Sequence, residues 1–240
     1  MKINLKKNLV VQDWFNPAPL HMPYSLRTSC FSEAMQDVYD FFYEVNKLMF
    51  NNGLQRLDDM LRPAALSGIL SDMLTARLAH HTMSLVENNY FNGHPDLLVK
   101  GIYANDSVKA GQEGIEVKAT QKKGGAVDCH SARDQNLCVF VYEVDNETEP
   151  AIDRKPLTFT EVYLGPVVEA DFRNNGRGAR GTRTSTLDKD GIAKFRKFWV
   201  YKRPTEKSEC RKAIYREASF GIASQAALKY CSSSSTPLLS

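Results

Sequence analysis

Residues 137–144 (LCVFVYEV) constrain the fold more than any other segment, because they form an almost uninterrupted apolar run. Side chains of a strand alternate between the two faces of a sheet, so a strand that is apolar throughout suits burial on both faces. Such a strand lies inside a sheet that other layers cover. We therefore expect an α/β (α+β) domain around a central sheet, and a chain of 240 residues is long enough to bury that core.

The part of the chain before Pro95 has the apolar spacing of helices. Apolar residues recur every three or four positions over residues 32–53, and the same spacing resumes over residues 66–86. We therefore predict a helical part over residues 31–92. Residues 1–30 contain several prolines and are expected to form an irregular N-terminal arm.

After Pro95 the pattern changes to that of strands. Besides the central strand, we predict strands over residues 97–103, 114–120, 157–164 and 198–202, and helices over residues 189–195 and 208–230. Residues 172–186 are rich in glycine and arginine and are expected to be irregular. The sequence thus predicts one domain over residues 31–230, which consists of the helical part, a sheet over residues 93–170 and a basic part over residues 171–230, followed by a flexible tail over residues 231–240.

Local sequence features exclude several classes of protein. The five cysteines are scattered without a CxxC pair, so neither a zinc site nor a disulfide framework is predicted. No segment approaches the roughly 18 apolar residues of a membrane span, and the order GxxxxGK[ST] of a nucleotide-binding loop is missing. We therefore expect a cytoplasmic protein with no membrane partner and no nucleotide cofactor.

Charge is distributed unevenly along the chain. The formal net charge is only +3, but the segment from Asp171 to Arg216 contains 14 lysines and arginines against 5 acidic residues. The rest of the chain is therefore net acidic. A basic segment on an otherwise acidic domain is typical of a polyanion-binding surface, and a merely solvated basic face is the alternative.

Three side chains of complementary chemistry are expected to meet in the sheet. In the predicted strand 114–120, Glu116 and Lys118 share one face because side chains alternate, while the apolar residues occupy the other. Asp96 begins the preceding strand, and a hairpin would bring it beside Glu116. Two carboxylates suit Mg²⁺, which binds one or two protein carboxylates together with water and phosphate oxygens. With a lysine to orient water and offset charge on phosphorus, these residues can hydrolyse a phosphodiester.

The segments HPDLLVKG and GIEVKAT resemble the PD-(D/E)xK signature of the restriction-endonuclease-like superfamily, with Pro95, Asp96, Glu116 and Lys118 at the signature positions. The resemblance covers about 25 residues. It implies a mixed central sheet flanked by helices, cleavage of DNA with one or two Mg²⁺ ions per site, and a homodimer. Many members carry another acidic residue on the preceding helix, for which Glu87 is the candidate metal ligand, and an ordinary glutamate at a helix end is the alternative.

Histidines near these segments are interpreted as structural residues, namely His80, His81, His94 and His130. Of these, His94 directly precedes the motif and either contacts DNA or caps the strand. The alternative for the whole motif is an exposed edge hairpin in which Glu116 and Lys118 form a minor pair.

Candidate DNA contacts lie in three basic segments. The first follows the strand that carries Lys118, the second precedes the central strand, and the third is the glycine-rich segment. In that segment arginine could donate two hydrogen bonds to guanine, and asparagine could form two with adenine. Contacts to phosphates alone are an equal alternative for the third segment. The candidates are Gln121, Lys122, Lys123, Arg133, Arg173, Asn174, Asn175, Arg177, Arg180 and Arg183.

The sequence therefore predicts a Mg²⁺-dependent endonuclease that cuts double-stranded DNA at a specific site, as type II restriction enzymes do. A palindromic site would require a homodimer, because the chain contains a single such motif. Two alternatives stay open: a repair nickase or junction-resolving nuclease of the same fold, and a DNA-binding protein without catalytic activity.

Overall fold

The computed structural model describes residues 5–18, 21–175 and 184–204. Four α-helices and nine β-strands lie within these ranges, joined by short 3₁₀ turns. The helices are α1 (Thr28–Asn51), α2 (Leu57–Met60), α3 (Pro63–His80) and α4 (Lys189–Phe195). The strands are β1 (Leu85–Glu87), β2 (Leu97–Val99), β3 (Gly114–Thr120), β4 (Asp128–Cys129), β5 (Gln135–Glu143), β6 (Thr158–Val167), β7 (Phe172–Asn174), β8 (Ser185–Leu187) and β9 (Trp199–Lys202).

Six of the strands form a mixed sheet in the order β1-β2-β3-β5-β6-β9. Strands β3 and β5 run parallel, and the other neighbouring pairs of this sheet run antiparallel. Strand β5 lies inside the sheet, and its side chains enter two separate apolar cores. The prediction of a central strand that is buried on both faces is therefore confirmed. Its alternate residues are Cys138, Phe140 and Tyr142 on one face and Leu137, Val139 and Val141 on the other.

Two different layers cover the sheet. On one face, the apolar sides of α1 and α3 pack against the core that contains Phe140. On the other face, a small sheet in the order β4-β8-β7 and the helix α4 form the second core, which includes Leu187 and Phe195. The Asp188 carboxylate caps α4 by accepting hydrogen bonds from the next backbone N–H groups, which is what an N-cap aspartate does. The result is a mixed α+β fold, a six-stranded sheet flanked by helices.

The N-terminal arm packs on the domain itself. The Asn8 side chain donates hydrogen bonds to Leu157 O (2.9 Å) and Thr158 Oγ1 (2.8 Å) at the start of β6. Further along, Phe15 forms an isolated β-bridge with Tyr201 of β9, and their ring centroids are 4.9 Å apart. The arm therefore covers the outer edge of the sheet.

Several boundaries differ from the sequence-based expectations. The helix that was expected to reach residue 86 ends at His80, and Leu85–Glu87 instead forms β1, which pairs with β2. A short apolar run fits a helix and a strand equally well, and the pairing with β2 decides between them. The predicted irregular segment 172–186 contains β7 and β8, whose backbones pair with each other. The predicted helix 208–230 and tail 231–240 lie outside the described residues.

Within the three described ranges, no helix combines the length and the apolar character that crossing a membrane requires.

Candidate active site

Strands β2 and β3 bring Asp96 and Glu116 to opposite positions. Their antiparallel register pairs Leu97 with Ile115 and Leu98 with Gly114, and continuing it by one residue sets Asp96 against Glu116. The seven-residue strand β3 has the predicted bounds, and its apolar residues enter the core under α3. The hairpin and the alternation that the sequence predicted are therefore both present.

The side chain of Lys118 lies between the two carboxylates. Its Nζ is 2.5 Å from Glu116 Oε1 and 3.6 Å from Asp96 Oδ2. The same Asp96 oxygen accepts a hydrogen bond from the backbone N–H of Val117 at 2.8 Å. His94 completes the cluster, since its Nδ1 lies 2.6 Å from the second oxygen of Glu116. Two acids, one ammonium and one imidazole thus form a single cluster held by ion pairs and hydrogen bonds.

Burial and mutual interaction shift the pKa values of the charged groups in this cluster. Burial, and then the negative charge of Glu116, raise the pKa of Asp96 to about 6. Burial also opposes ionisation of Glu116, but the His94 hydrogen bond and the Lys118 charge lower the pKa of that carboxyl below its usual range. Lys118 remains a cation, because the two acids raise its pKa against the effect of burial. The two acids of the site therefore differ in pKa, and Asp96 takes up a proton first as the pH falls.

The cluster opens into a cleft of about 670 Å³. The cleft wall carries both acids and also three basic side chains, Lys109, Lys118 and Arg133. The imidazole of His130 and the thiol of Cys129 line it as well. Burial raises the pKa of Cys129 to about 11, so this thiol stays protonated and is a poor nucleophile or metal ligand. A cleft lined by both acids and cations suits a phosphate group that arrives together with a cation.

Few side chains of the cleft can coordinate the expected Mg²⁺. Among the described residues, no three side chains of histidine, cysteine, aspartate or glutamate are arranged to hold a metal ion. Asp96 and Glu116 alone offer the one or two carboxylates that Mg²⁺ uses, with water and substrate oxygens as the other ligands. The raised pKa of Asp96 points the same way, because a cation beside both acids would relieve their repulsion. The residues present fit Mg²⁺, provided that Lys118 swings away from the two carboxylates.

Glu87 does not join this group. It lies on β1 rather than on a helix, opposite Leu97, and its side chain is exposed and outside the cleft lining. The expectation that Glu87 lies on the preceding helix is therefore wrong. The position of Glu87 leaves Asp96 and Glu116 as the two acids of the cleft.

The predicted DNA contacts that follow β3 lie outside the cleft. Gln121, Lys122 and Lys123 are exposed directly after the end of β3. The ammonium of Lys122 is 3.6 Å from Asp128, and that of Lys123 is 3.6 Å from Glu143. The two lysines therefore present their charges to solvent beside the sheet. Arg133, in contrast, lines the cleft and hydrogen-bonds Ser131.

Two of the candidates in the glycine-rich segment lie on the small sheet, and a third directly follows β7. Arg173 and Asn174 are exposed on β7. Asn175 uses its amide N–H groups within the hairpin, donating to Thr184 Oγ1 (3.1 Å) and Thr186 Oγ1 (2.7 Å). This sheet reaches the cleft through Cys129 of β4. The remaining candidates, Arg177, Arg180 and Arg183, lie outside the described residues.

Sequence reasoning missed two members of the site. His94 was interpreted as a structural residue, and it lies outside the strands, before a bend at residues 95–96, so strand alternation does not indicate where its side chain points. Lys109 lies on a loop beside His94, with a hydrogen bond of 3.2 Å from His94 N to Lys109 O, and its sequence gave no signal either. The one signal for His94 was its position directly before the motif.

No protein-family model, curated protein or solved structure matches this chain at a significant level.

Proposed function

We propose that this chain is a Mg²⁺-dependent endonuclease that hydrolyses phosphodiester bonds of double-stranded DNA. The observation that carries the proposal is the pair of contacts that the Lys118 ammonium makes in the cleft, to Glu116 on β3 and to Asp96, which directly precedes β2. A buried Glu116 beside the partly buried Asp96 and Lys118 is costly to keep without a ligand that uses these groups. Metal-assisted phosphodiester hydrolysis uses all three.

Asp96 and Glu116 would hold Mg²⁺, which when bound supplies positive charge to the scissile phosphate and lowers the pKa of a bound water. Lys118 keeps its proton, so its ammonium donates hydrogen bonds rather than removing a proton from water. It can donate to a phosphate oxygen or orient the attacking water, and it offsets the charge that develops on phosphorus. His94 holds the second oxygen of Glu116 and so fixes the plane of that carboxylate.

The cations of the cleft wall support a nucleic acid as the substrate. Lys109 and Arg133 line the same cleft as Lys118, where they can contact phosphates next to the one that is cut. The basic segment from Asp171 to Arg216, of which only part is described, adds charge for the rest of the duplex. This distribution favours a long polyanion over a small phosphate ester.

The proposal includes a restriction-endonuclease-like fold and a homodimer. The six-stranded mixed sheet flanked by helices is compatible with that fold, and the proposed site lies on adjacent strands of it. A homodimer would place two such clefts across a palindromic target. Specific cleavage by a dimer is the form of the activity that we propose, and cleavage of one strand by a monomer is the alternative.

Incubation of unmethylated phage DNA with the purified chain tests the activity, with Mg²⁺ or with EDTA. We expect discrete fragments that EDTA abolishes, and we expect both Glu116→Gln and Lys118→Ala to lower the rate by at least about 100-fold. Lys47→Ala, which removes a lysine of α1 that is 45% exposed and lies outside the cleft lining, is the control and should retain activity. Glu87→Gln should also retain it, since Glu87 lies outside the cleft.

Each other outcome selects a different function. Nicked circles without discrete fragments would replace the specific cutter with a nickase. DNA that is bound but never cut at any Mg²⁺ concentration would indicate a binding protein. Cleavage that survives both Glu116→Gln and Lys118→Ala would refute the assignment of the active site.

A further inference from the structure

A tight turn at the rim of the cleft presents an aromatic ring to solvent. The turn comprises residues 90–93, closed by a hydrogen bond of 2.8 Å from Gly93 N to Tyr90 O. Asn92 occupies the third position with φ of 55°, a conformation that asparagine tolerates better than most residues. Phe91 lies at the apex, and 87% of its surface is exposed.

This turn is held firmly by the side chain of Asn88. Its Nδ2 donates to Val108 O (2.9 Å) and Pro95 O (3.0 Å), while its Oδ1 accepts from Tyr90 N (3.0 Å) and Val108 N (3.1 Å). All the hydrogen-bonding groups of one amide side chain thus tie the turn to two other segments. Phe91 is therefore exposed on a turn that these hydrogen bonds hold in place.

The location of the ring matters more than its exposure, because single exposed apolar residues are common on protein surfaces. Asn92 and Gly93, which directly follow Phe91, line the cleft that contains Asp96. Five residues of chain reach at most about 18 Å, so the Cα atoms of Phe91 and Asp96 lie within that distance. Successive bases of one strand are spaced by about 3.4 Å. A phosphate beside Asp96 therefore brings several bases within the range of Phe91.

We propose that Phe91 stacks on a nucleobase of the substrate, close to the phosphate that the cleft binds. This inference rests on the proposed function, since it takes DNA as the occupant of the cleft. The cations Lys109 and Arg133 line that cleft and suit the backbone of the same nucleic acid. A phenyl ring stacks on any base, so this contact adds affinity without reading sequence.

The stacking defines a class of preferred substrate. A base in a perfect duplex must first leave its neighbours, and unstacking costs least where the base is mismatched or unpaired. Phe91 therefore favours DNA with a mismatch or a single-stranded junction near the scissile phosphate over the same sequence fully paired.

Binding of fluorescently labelled oligonucleotides in EDTA tests this without any need for catalysis. The probes are a perfect duplex, the same duplex with one central mismatch, and a single strand. We expect Phe91→Ala to weaken binding of the mismatched duplex and the single strand by about 5- to 150-fold, the range of base–aromatic stacking. We expect Phe91→Trp to bind as well as the wild type, with its added indole fluorescence quenched by the DNA.

Met83→Ala is the matched control, because Met83 is 90% exposed and precedes the same strand β1 at the end away from the turn. If the wild type binds and cuts DNA and Phe91→Ala binds every probe as well as the wild type does, the stacking is refuted while the proposed nuclease activity stands. Equal losses in Phe91→Ala and Met83→Ala would also refute it. A wild type that neither binds nor cuts any of the probes or phage DNA would overturn both proposals.

Discussion

Lys118→Met is the most informative perturbation of stability, because it removes a buried cation and keeps a side chain of similar length. In the wild type, the Lys118 ammonium faces both acids, and 22% of its side chain is exposed. Removing one partner of a buried ion pair costs about 3–5 kcal/mol. Because 31% of the Asp96 side chain still reaches solvent, we expect the lower end, about 3 kcal/mol.

The assay is thermal unfolding in EDTA at pH 8. For a chain of this length, about 3 kcal/mol corresponds to a Tm that falls by about 6–12 °C. Mg²⁺ should restore much of the loss, by about 2.7 kcal/mol at a concentration 100 times its Kd, since it replaces the missing positive charge. The control is Lys122→Met, whose side chain is 62% exposed and whose ion pair with Asp128 is worth less than about 1 kcal/mol.

The effect of pH follows from Asp96. Its pKa is raised to about 6 in the folded protein, above the value for the unfolded chain, so protonation stabilises the folded form. In Lys118→Met the same pKa rises further, because the opposing cation is gone. The difference in Tm between variant and wild type should therefore be largest at high pH, shrink as the pH falls from the higher pKa of the variant to about 6, and change little below that. A variant that unfolds at the wild-type temperature in EDTA at pH 8 would refute the proposed ion cluster.

Three further predictions concern the core, a helix cap and the metal. Phe140→Ala should lower the free energy of unfolding, measured in urea titrations, by about 3–5 kcal/mol. Leu48→Ala, at a position that is 64% exposed, should change it by less than about 0.5 kcal/mol. Similar losses in the two variants would contradict the assigned core. Asp188→Ala should lower the stability by about 1 kcal/mol and Asp188→Asn by much less, and equal values in thermal unfolding would argue against the N-cap. Calorimetry should give a Kd for Mg²⁺ about tenfold weaker at pH 5 than at pH 7, because a proton competes for Asp96; an unchanged Kd would exclude Asp96 as a ligand.

The parts of the fold that the sequence predicted well are those in which one periodicity dominates. Residues 114–120 alternate cleanly between apolar and polar, so the face shared by Glu116 and Lys118 followed from spacing alone. The apolar run that forms β5 allowed only a buried interior strand. Helix α1 combined a long apolar period with a glycine stop, and its predicted and observed ends differ by a few residues.

The remaining parts depend on contacts between distant segments. Three-residue strands such as β1 have too few residues to show a period, and β1 forms because β2 offers its backbone groups. Strands β7 and β8 exist as a pair, and the glycine and arginine content of the segment between them conceals that pairing. Lys109 reaches the cleft through a loop, and no local pattern indicates where a loop will lie.

The docking of the N-terminal arm has a consequence for the order in which the chain folds. Asn8 binds the start of β6, and Phe15 pairs with Tyr201, so residues near one end of the domain are held by residues near the other. Contacts between residues so far apart in the sequence form late, because the entropy cost of closing a long stretch of chain comes before the contact stabilises the fold. During synthesis Phe15 has no β-bridge partner until β9 has left the ribosome, whereas Gln36 of α1 is available to the arm much earlier. We therefore expect the central strands to assemble first and the arm to close over the finished edge, protecting it from pairing with other chains.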